Sequence, residues 1–95
     1  ASASGSSTGP SSGTTAMTTN ANEVVIGEIG FVTTTASISG ITAGYTADAL
    51  LRNPASNHQN SEQGGHQAVS STGTFLFAGT LSSSQSWAAV VATFM

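Results

Sequence analysis

Apolar side chains recur at every second position in three stretches of the chain, which is the period of a β-strand. In the first stretch, residues 23–32, Val24 and Ile26 lie on one face, and Val25 and Ile29 lie on the other. Apolar residues on both faces are typical of a strand buried between two layers. No stretch has the 3.6-residue period of an amphipathic helix. The pattern therefore predicts an all-β fold with residues 23–32 in a central strand.

The other two alternating stretches lie near the end of the sequence, at residues 74–81 and 87–94. Phe75 and Phe77 share one face of the earlier stretch, as expected for a strand that packs on a core. The short polar segment "SSSQ" at residues 82–85 favours a turn between the two stretches. We therefore expect them to form an antiparallel hairpin.

The middle of the chain carries weaker signals. Gly40 and Gly44 are predicted to mark turns. Residues 47–53 fit either a short strand or one helical turn, and residues 66–71 fit a further strand. The polar residues 53–67 are predicted to form a long loop that turns at a double glycine. Three side chains are predicted to enter the core from short strands: Ile38, Ile41 and Tyr45.

Residues 1–22 differ in composition from the rest of the chain. They are almost entirely Ser, Thr, Gly and Ala, with one proline, one methionine and two asparagines. The repeated glycines argue against a helix, so any ordered structure here should be extended. The sequence thus predicts two parts, an extended arm at residues 1–22 and a β-sandwich domain at residues 23–95.

Composition limits how the 95 residues can be stabilised and what they can bind. Only 38% of residues are hydrophobic and none is cysteine, so a small core must rely on a metal or on self-association. With 5% charged residues and one strong cation, the chain has no basic patch for nucleic acid. No apolar run reaches the roughly 18 residues of a membrane span. A nearly uncharged, hydroxyl-rich chain without cysteine is typical of extracellular or cell-surface material.

Candidate catalytic and metal-binding patterns are weak. The sequence "GSSTG" at residues 5–9 matches a nucleophile elbow but lacks the required strand and helix on either side, so no enzyme is predicted. His58, Glu62 and His66 are spaced by four and could bind zinc on a helix. Two glycines between them disfavour a helix, so these three residues are only weak metal candidates. Calcium held by Asp48 or Glu62 with loop carbonyls is the other candidate.

Two segments of the sequence carry a resemblance to a known family. "NANEVVIG", residues 20–27, follows a Ser/Thr/Gly-rich link, and "WAAVVATF" occupies residues 87–94. Together they resemble the C-terminal portion of a jelly-roll-type β-sandwich domain of large secreted bacterial surface proteins, over most of the chain. The resemblance implies a jelly-roll-like antiparallel β-sandwich that lacks its earlier strands, because such domains carry further strands before the link. An incomplete sandwich exposes open strand edges, which pair with other chains.

These observations predict a structural protein that assembles with copies of itself by donor-strand complementation. Head-to-tail exchange that does not close builds an extracellular filament or surface layer. The predicted assembly arm includes Ala1, Ser4, Thr8, Thr14 and Met17. The predicted receiving core contains Val24, Ile26, Phe75, Phe77, Trp87, Val91 and Phe94.

An alternative is a carbohydrate-binding or adhesive module cut from a larger secreted protein. Sugar sites combine an aromatic platform with polar side chains that donate and accept hydrogen bonds, and Trp87 and Tyr45 are the candidate platforms. Amide side chains of a polar stretch would supply the hydrogen bonds: Asn57, Gln59, Asn60 and Gln63. Glycans are therefore the second candidate partner after copies of the chain itself.

Overall fold

A computed structural model describes residues 1–33, 35–53 and 59–94, and these residues form eight β-strands and no helix. The strands are β1 (Ser2–Ser7), β2 (Glu23–Phe31), β3 (Ile38–Ser39), β4 (Thr46–Ala47), β5 (Leu51–Asn53), β6 (Asn60–Val69), β7 (Thr80–Leu81) and β8 (Gln85–Phe94). The main sheet has the order β1-β8-β2-β6-β4, with β5 also paired to β6, and β3 and β7 form a second sheet. All pairings are antiparallel. The prediction of an all-β fold with packed antiparallel sheets is confirmed.

The main sheet buries one face against a second layer of chain and exposes the other. On β2, Val25 and Ile29 are fully buried, whereas Val24 and Ile26 are each 44% exposed. The placement of Val24, Ile26 and Phe94 in a core is therefore wrong within this chain, because their face of the sheet points away from the second layer. The buried apolar core consists of Val25, Ile29, Phe31, Ala36, Phe77, Leu81, Ala89 and Val91.

The largest difference from the sequence prediction is β6, which lies beside the central strand β2 where a long loop was expected. Its double glycine does not turn the chain. A Cβ atom on Gly65 would lie 2.7 Å from Cε1 of Phe77, and a Cβ atom on Gly27 would overlap the same ring. The two glycines face each other across β2 and β6. They sit inside strands because the Phe77 ring packs directly on the backbone there.

The predicted hairpin between residues 74–81 and 87–94 is also wrong. Only Thr80–Leu81 of the earlier stretch is a strand, and it pairs with Ile38–Ser39 rather than with β8. Strand β8 instead lies between β1 and β2. The reason is again Phe77, whose buried ring holds this stretch in the second layer, opposite the main sheet.

The smaller predictions about turns, a short strand and core side chains are confirmed. Gly40 and Gly44 adopt positive φ angles of 64° and 98°, as turns require. Residues 47–53 contain the last residue of β4 and all of β5, with no helical turn. Within the described ranges there is no helix of sufficient length and apolarity to cross a bilayer. Three side chains pack against the core as expected: Ile38, Ile41 and Tyr45.

Candidate assembly site

The N-terminal arm forms an edge strand on the sheet of its own chain. Strand β1 pairs with β8 over six residue positions. The pairing begins at Ala1, whose amino group donates to the Val91 carbonyl at 3.0 Å and whose carbonyl accepts from the Val91 N–H at 2.9 Å. At the other end, the Trp87 indole N–H donates to the Ser7 hydroxyl at 3.1 Å. Gly5 lies against the indole, where a Cβ atom would approach Cζ2 to 2.9 Å.

Beyond β1, the arm is held to residues 73–77 by three hydroxyl side chains. The backbone N–H of each hydroxyl residue donates to a carbonyl at 2.9, 2.8 and 2.9 Å. Each hydroxyl oxygen in turn accepts from the N–H of that same partner, at 2.9, 3.0 and 3.1 Å. Three reciprocal pairs result: Ser12 with Phe77, Thr15 with Phe75, and Thr18 with Gly73.

The spacing of these hydroxyls explains why the arm is ordered without forming a regular ladder. The hydroxyl residues recur every third position, whereas their partners recur every second position. A side-chain oxygen therefore takes the place of the carbonyl that a second strand would offer. The contact continues where the carbonyls of Pro10 and Thr8 accept from the N–H groups of Gly79 and Leu81, at 3.2 and 2.8 Å. The residues Ser-x-x-Thr-x-x-Thr carry these contacts, but the sequence-based prediction could not distinguish them from the other hydroxyl residues of the arm.

The structure separates the predicted arm residues into two groups. Ala1 and Thr8 contact the rest of the chain through their backbones, and Ser4 lies opposite residue 88 in the β1–β8 pair. Thr14 and Met17 are exposed, and 64% of the Met17 side chain is accessible. The arm is therefore held mainly by main-chain and hydroxyl bonds, and Pro10 adds a fully buried apolar side chain.

Four residues of the predicted receiving core do line the surface that the arm contacts. Phe77 and Val91 are buried, and Phe75 and Trp87 are partly buried against the same core. Their backbones or side chains meet the arm, through Ser12, Ala1, Thr15 and Ser7 respectively. We refer to the arm-contacting part of β8 together with residues 73–81 as the arm groove.

A cluster of carboxyl groups lies on the exposed face of the main sheet. A Cβ atom on Gly64 would lie 2.6 Å from Oε2 of Glu28 and 3.2 Å from Oδ2 of Asp48, so the two carboxyl groups lie close together above this glycine. Partial burial, together with repulsion from Glu62 and Asp48, raises the pKa of Glu28 above its ordinary value of 4.5. Nδ1 of His66 contacts Oδ1 of Asp48 at 3.0 Å, and both side chains are about half exposed.

The predicted metal ligands do not converge in the described part of the chain. Glu62 and His66 both lie on β6, and four residues of extended strand separate their Cα atoms by roughly 13 Å. His58 lies outside the described residues. Among the residues that the structure describes, no group of three His, Asp or Glu side chains could hold a metal ion. Calcium at Asp48 or Glu62 stays a prediction.

Replacing Glu28 with glutamine is expected to stabilise the protein at neutral pH. The pKa of Glu28 is higher in the folded chain, so its charge destabilises the fold once the pH rises through that pKa. The gain should be about 0.5 kcal/mol, the size of interactions between solvent-exposed charges. It should disappear well below pH 4.5, where the carboxyl is neutral in both states. Denaturant unfolding across this pH range tests it, and a less stable variant at neutral pH contradicts it.

Comparisons of the chain with protein-family models, with curated proteins and with solved structures find no match. The function of the chain must therefore be inferred from its own geometry. The resemblance to jelly-roll-type surface domains stays a prediction.

Proposed function

We propose that the protein is a structural subunit that joins copies of itself by exchanging residues 1–18, the part of the predicted arm that is bonded to the rest of the chain and is called the arm from here on. The observation that carries this proposal is the way in which the arm is bound. Its contacts are main-chain and hydroxyl hydrogen bonds, together with the Gly5–Trp87 contact and the buried side chain of Pro10. The arm of a neighbouring copy can make the same bonds in the same groove, because they do not depend on which chain supplies it.

The segment between the arm and β2 supports exchange. Residues 19–22 are exposed and bend the chain between the last hydroxyl contact and the first residue of β2. In extended form, four residues span roughly 13 Å. Straightening them would carry the arm away from its own groove and toward that of the next copy. Each copy would then give one arm and receive one, which produces a filament or layer when the chain of contacts does not close.

Composition is consistent with an extracellular or cell-surface location for such an assembly. The chain has no cysteine and only five strongly charged residues, one cation and four acids. Its solubility therefore depends on hydroxyl and amide groups rather than on charge. A sheet with so few charges has little electrostatic repulsion to oppose the packing of identical copies.

A carbohydrate-binding or adhesive module is the second candidate. It is favoured by a cleft of about 380 Å³ at one end of the sheet, whose lining includes Trp87, Asn60, Glu62 and Ser86. Indole, amide, carboxylate and hydroxyl groups together are the chemistry of a sugar site. Saturable binding of a monomer to a glycan array, lost on Trp87→Ala, would favour this alternative over assembly.

A peptide of residues 1–18 is expected to inhibit assembly by occupying the arm groove, and the same peptide with Ala3→Pro should require at least about a tenfold higher concentration. Ala1 and Val91 form a reciprocal hydrogen-bonded pair. Every second residue of an antiparallel strand bonds to its partner in this way, so the N–H of Ala3 also points at β8. Proline removes that donor, and one lost bond of about 1.4 kcal/mol corresponds to a factor of ten. Electron microscopy and light scattering of the intact chain measure assembly.

Ser4→Pro is the matched control for this experiment. The N–H of Ser4 points away from β8, so its loss leaves the arm contact intact. Inhibition by the unsubstituted and Ser4→Pro peptides, together with at least about tenfold weaker inhibition by the Ala3→Pro peptide, would support the proposal. Equal inhibition by the Ala3→Pro and unsubstituted peptides, or no inhibition by either, would contradict it.

A further inference from the structure

The second edge of β1 carries hydrogen-bonding groups that face outward. Strand β1 is the last strand of the main sheet, so only one of its edges is paired. In an antiparallel pair, alternate residues bond to the partner and the residues between them point away. Because Ala1 bonds reciprocally to Val91, the outward groups belong to Ser2, Ser4 and Ser6. Three N–H donors and three carbonyl acceptors therefore line this edge.

This edge has none of the features that usually prevent strand addition. Residues 2–7, "SASGSS", contain no charge and no proline, and their pairing with β8 is continuous, without a bulge. Natural sheets commonly block their edges with charged residues, prolines or bulges. The opposite edge differs, because β4 and β5 have only two and three residues and β5 contains Arg52. Among the described residues, the β1 edge is therefore better suited than the opposite edge of the main sheet to accept a further strand.

We propose that two copies of the chain pair β1 to β1, antiparallel, about a two-fold axis at Ser4. This register places Ser2 opposite Ser6 and Ser4 opposite Ser4, so all outward groups bond in three reciprocal pairs. Centring the axis on Ala3 or Gly5 leaves only two such pairs. A second copy is the fitting occupant because the uncharged segment is complementary to itself in this register.

The pair joins two main sheets into one continuous sheet. Each main sheet is five strand positions wide, and ten positions lie within the usual limit for an open sheet. The contact uses the edge of β1 that faces away from β8. It therefore forms whether the arm lies in its own groove or in that of a neighbour, and it does not depend on arm exchange.

Single cysteine substitutions test the register, since the chain has no cysteine of its own. In the proposed pair, a residue at position 4 faces its own copy at a Cα separation of about 5.5 Å, which a disulfide can bridge. Ser4→Cys should form a disulfide-linked dimer under mild oxidation at least tenfold faster than Ser2→Cys or Ser6→Cys alone. A mixture of Ser2→Cys and Ser6→Cys should form the mixed dimer at a similar rate to Ser4→Cys.

Two results would overturn the proposal. One is equal oxidation rates for all three single variants, which indicates random collision. The other is a mixture of Ser2→Cys and Ser6→Cys that is no faster than either alone. Denaturing gel electrophoresis separates this test from arm exchange, because only covalent links survive on the gel. Ser4→Cys should give covalent dimers and nothing longer, whether or not arm exchange also occurs.

Sedimentation velocity of Ser4→Pro gives a second measurement that requires no oxidation. Proline removes one outward N–H on each side of the axis while β1 stays bonded to β8. Two-fold dimers of the wild type should be lost in Ser4→Pro at every concentration measured. Dimers of equal stability in the two proteins would contradict the inference.

Discussion

Replacing Phe77 with alanine should lower the free energy of unfolding by about 3–5 kcal/mol, the usual range for truncating a buried phenylalanine. The side chain is fully buried, and its ring lies over Gly27 and Gly65 of the two central strands. Its edge also contacts Tyr45, with ring centroids 4.9 Å apart. A chain of this length has a total stability of about 5–14 kcal/mol. The substitution therefore removes a large part of it.

Urea unfolding followed by the fluorescence of Trp87 measures this effect. Phe94→Ala is the matched control, because Phe94 is 53% exposed on the open face of the same sheet. We expect the control to cost less than about 1 kcal/mol. Equal losses from the two substitutions would show that Phe77 does not connect the two layers as described.

Gly27→Ala should destabilise the protein by about 1–3 kcal/mol or more, although it adds only one methyl group. The added Cβ would overlap the Phe77 ring. The ring has little room to move away, because its opposite part lies against Gly65 across the sheet. The backbone of β2 or the second layer would have to shift.

Gly30 is the matched control on the same strand. The nearest atom to a Cβ there is the Ser61 carbonyl oxygen at 4.0 Å, so Gly30→Ala should change stability by less than about 0.5 kcal/mol. Combining Gly27→Ala with Phe77→Leu should cost less than the sum of the two single variants, because the smaller side chain leaves space for the methyl group. Strict additivity in this double-mutant cycle would argue against the proposed clash.

The Phe77 ring explains why part of the fold could be predicted from the sequence and part could not. Strands β2 and β8 carry alternating apolar residues, and their positions follow from that pattern. Strand β6 reads "NSEQGGHQAV" and has the composition of a loop. It becomes a strand because β2 pairs with its backbone and Phe77 requires a glycine beneath it. Such a long-range requirement is absent from the local sequence.

The candidate site was predictable to a similar extent. The arm, its extended form and the role of residues 74–81 as its contact follow from composition and alternation. The location of the arm on its own chain could not be predicted in this way, because its small side chains show no face that must be buried. Ser12, Thr15 and Thr18 bind through hydroxyl groups, and a Ser/Thr-rich segment gives no sign of which hydroxyls have partners.

Arm exchange and edge pairing use opposite sides of β1 and would have different consequences. Exchange gives a directional contact that propagates from copy to copy, whereas the two-fold contact closes on itself. Acting together, they would connect two parallel rows of subunits. This combination would suit a surface layer or a paired filament built from a single small chain.

The most direct test of arm exchange is a mixed disulfide between two singly substituted chains. Ser6 and Ser86 are opposite each other in the β1–β8 pair, in a non-bonded position where Cα atoms lie about 4.5 Å apart. Chains carrying Ser6→Cys and chains carrying Ser86→Cys are unfolded, mixed, refolded and oxidised. As a control, Val24→Cys with Phe94→Cys in one chain should close an internal disulfide in either case. The proposal predicts a covalent dimer of one chain of each kind, and a mixture that stays monomeric while the control closes would contradict it.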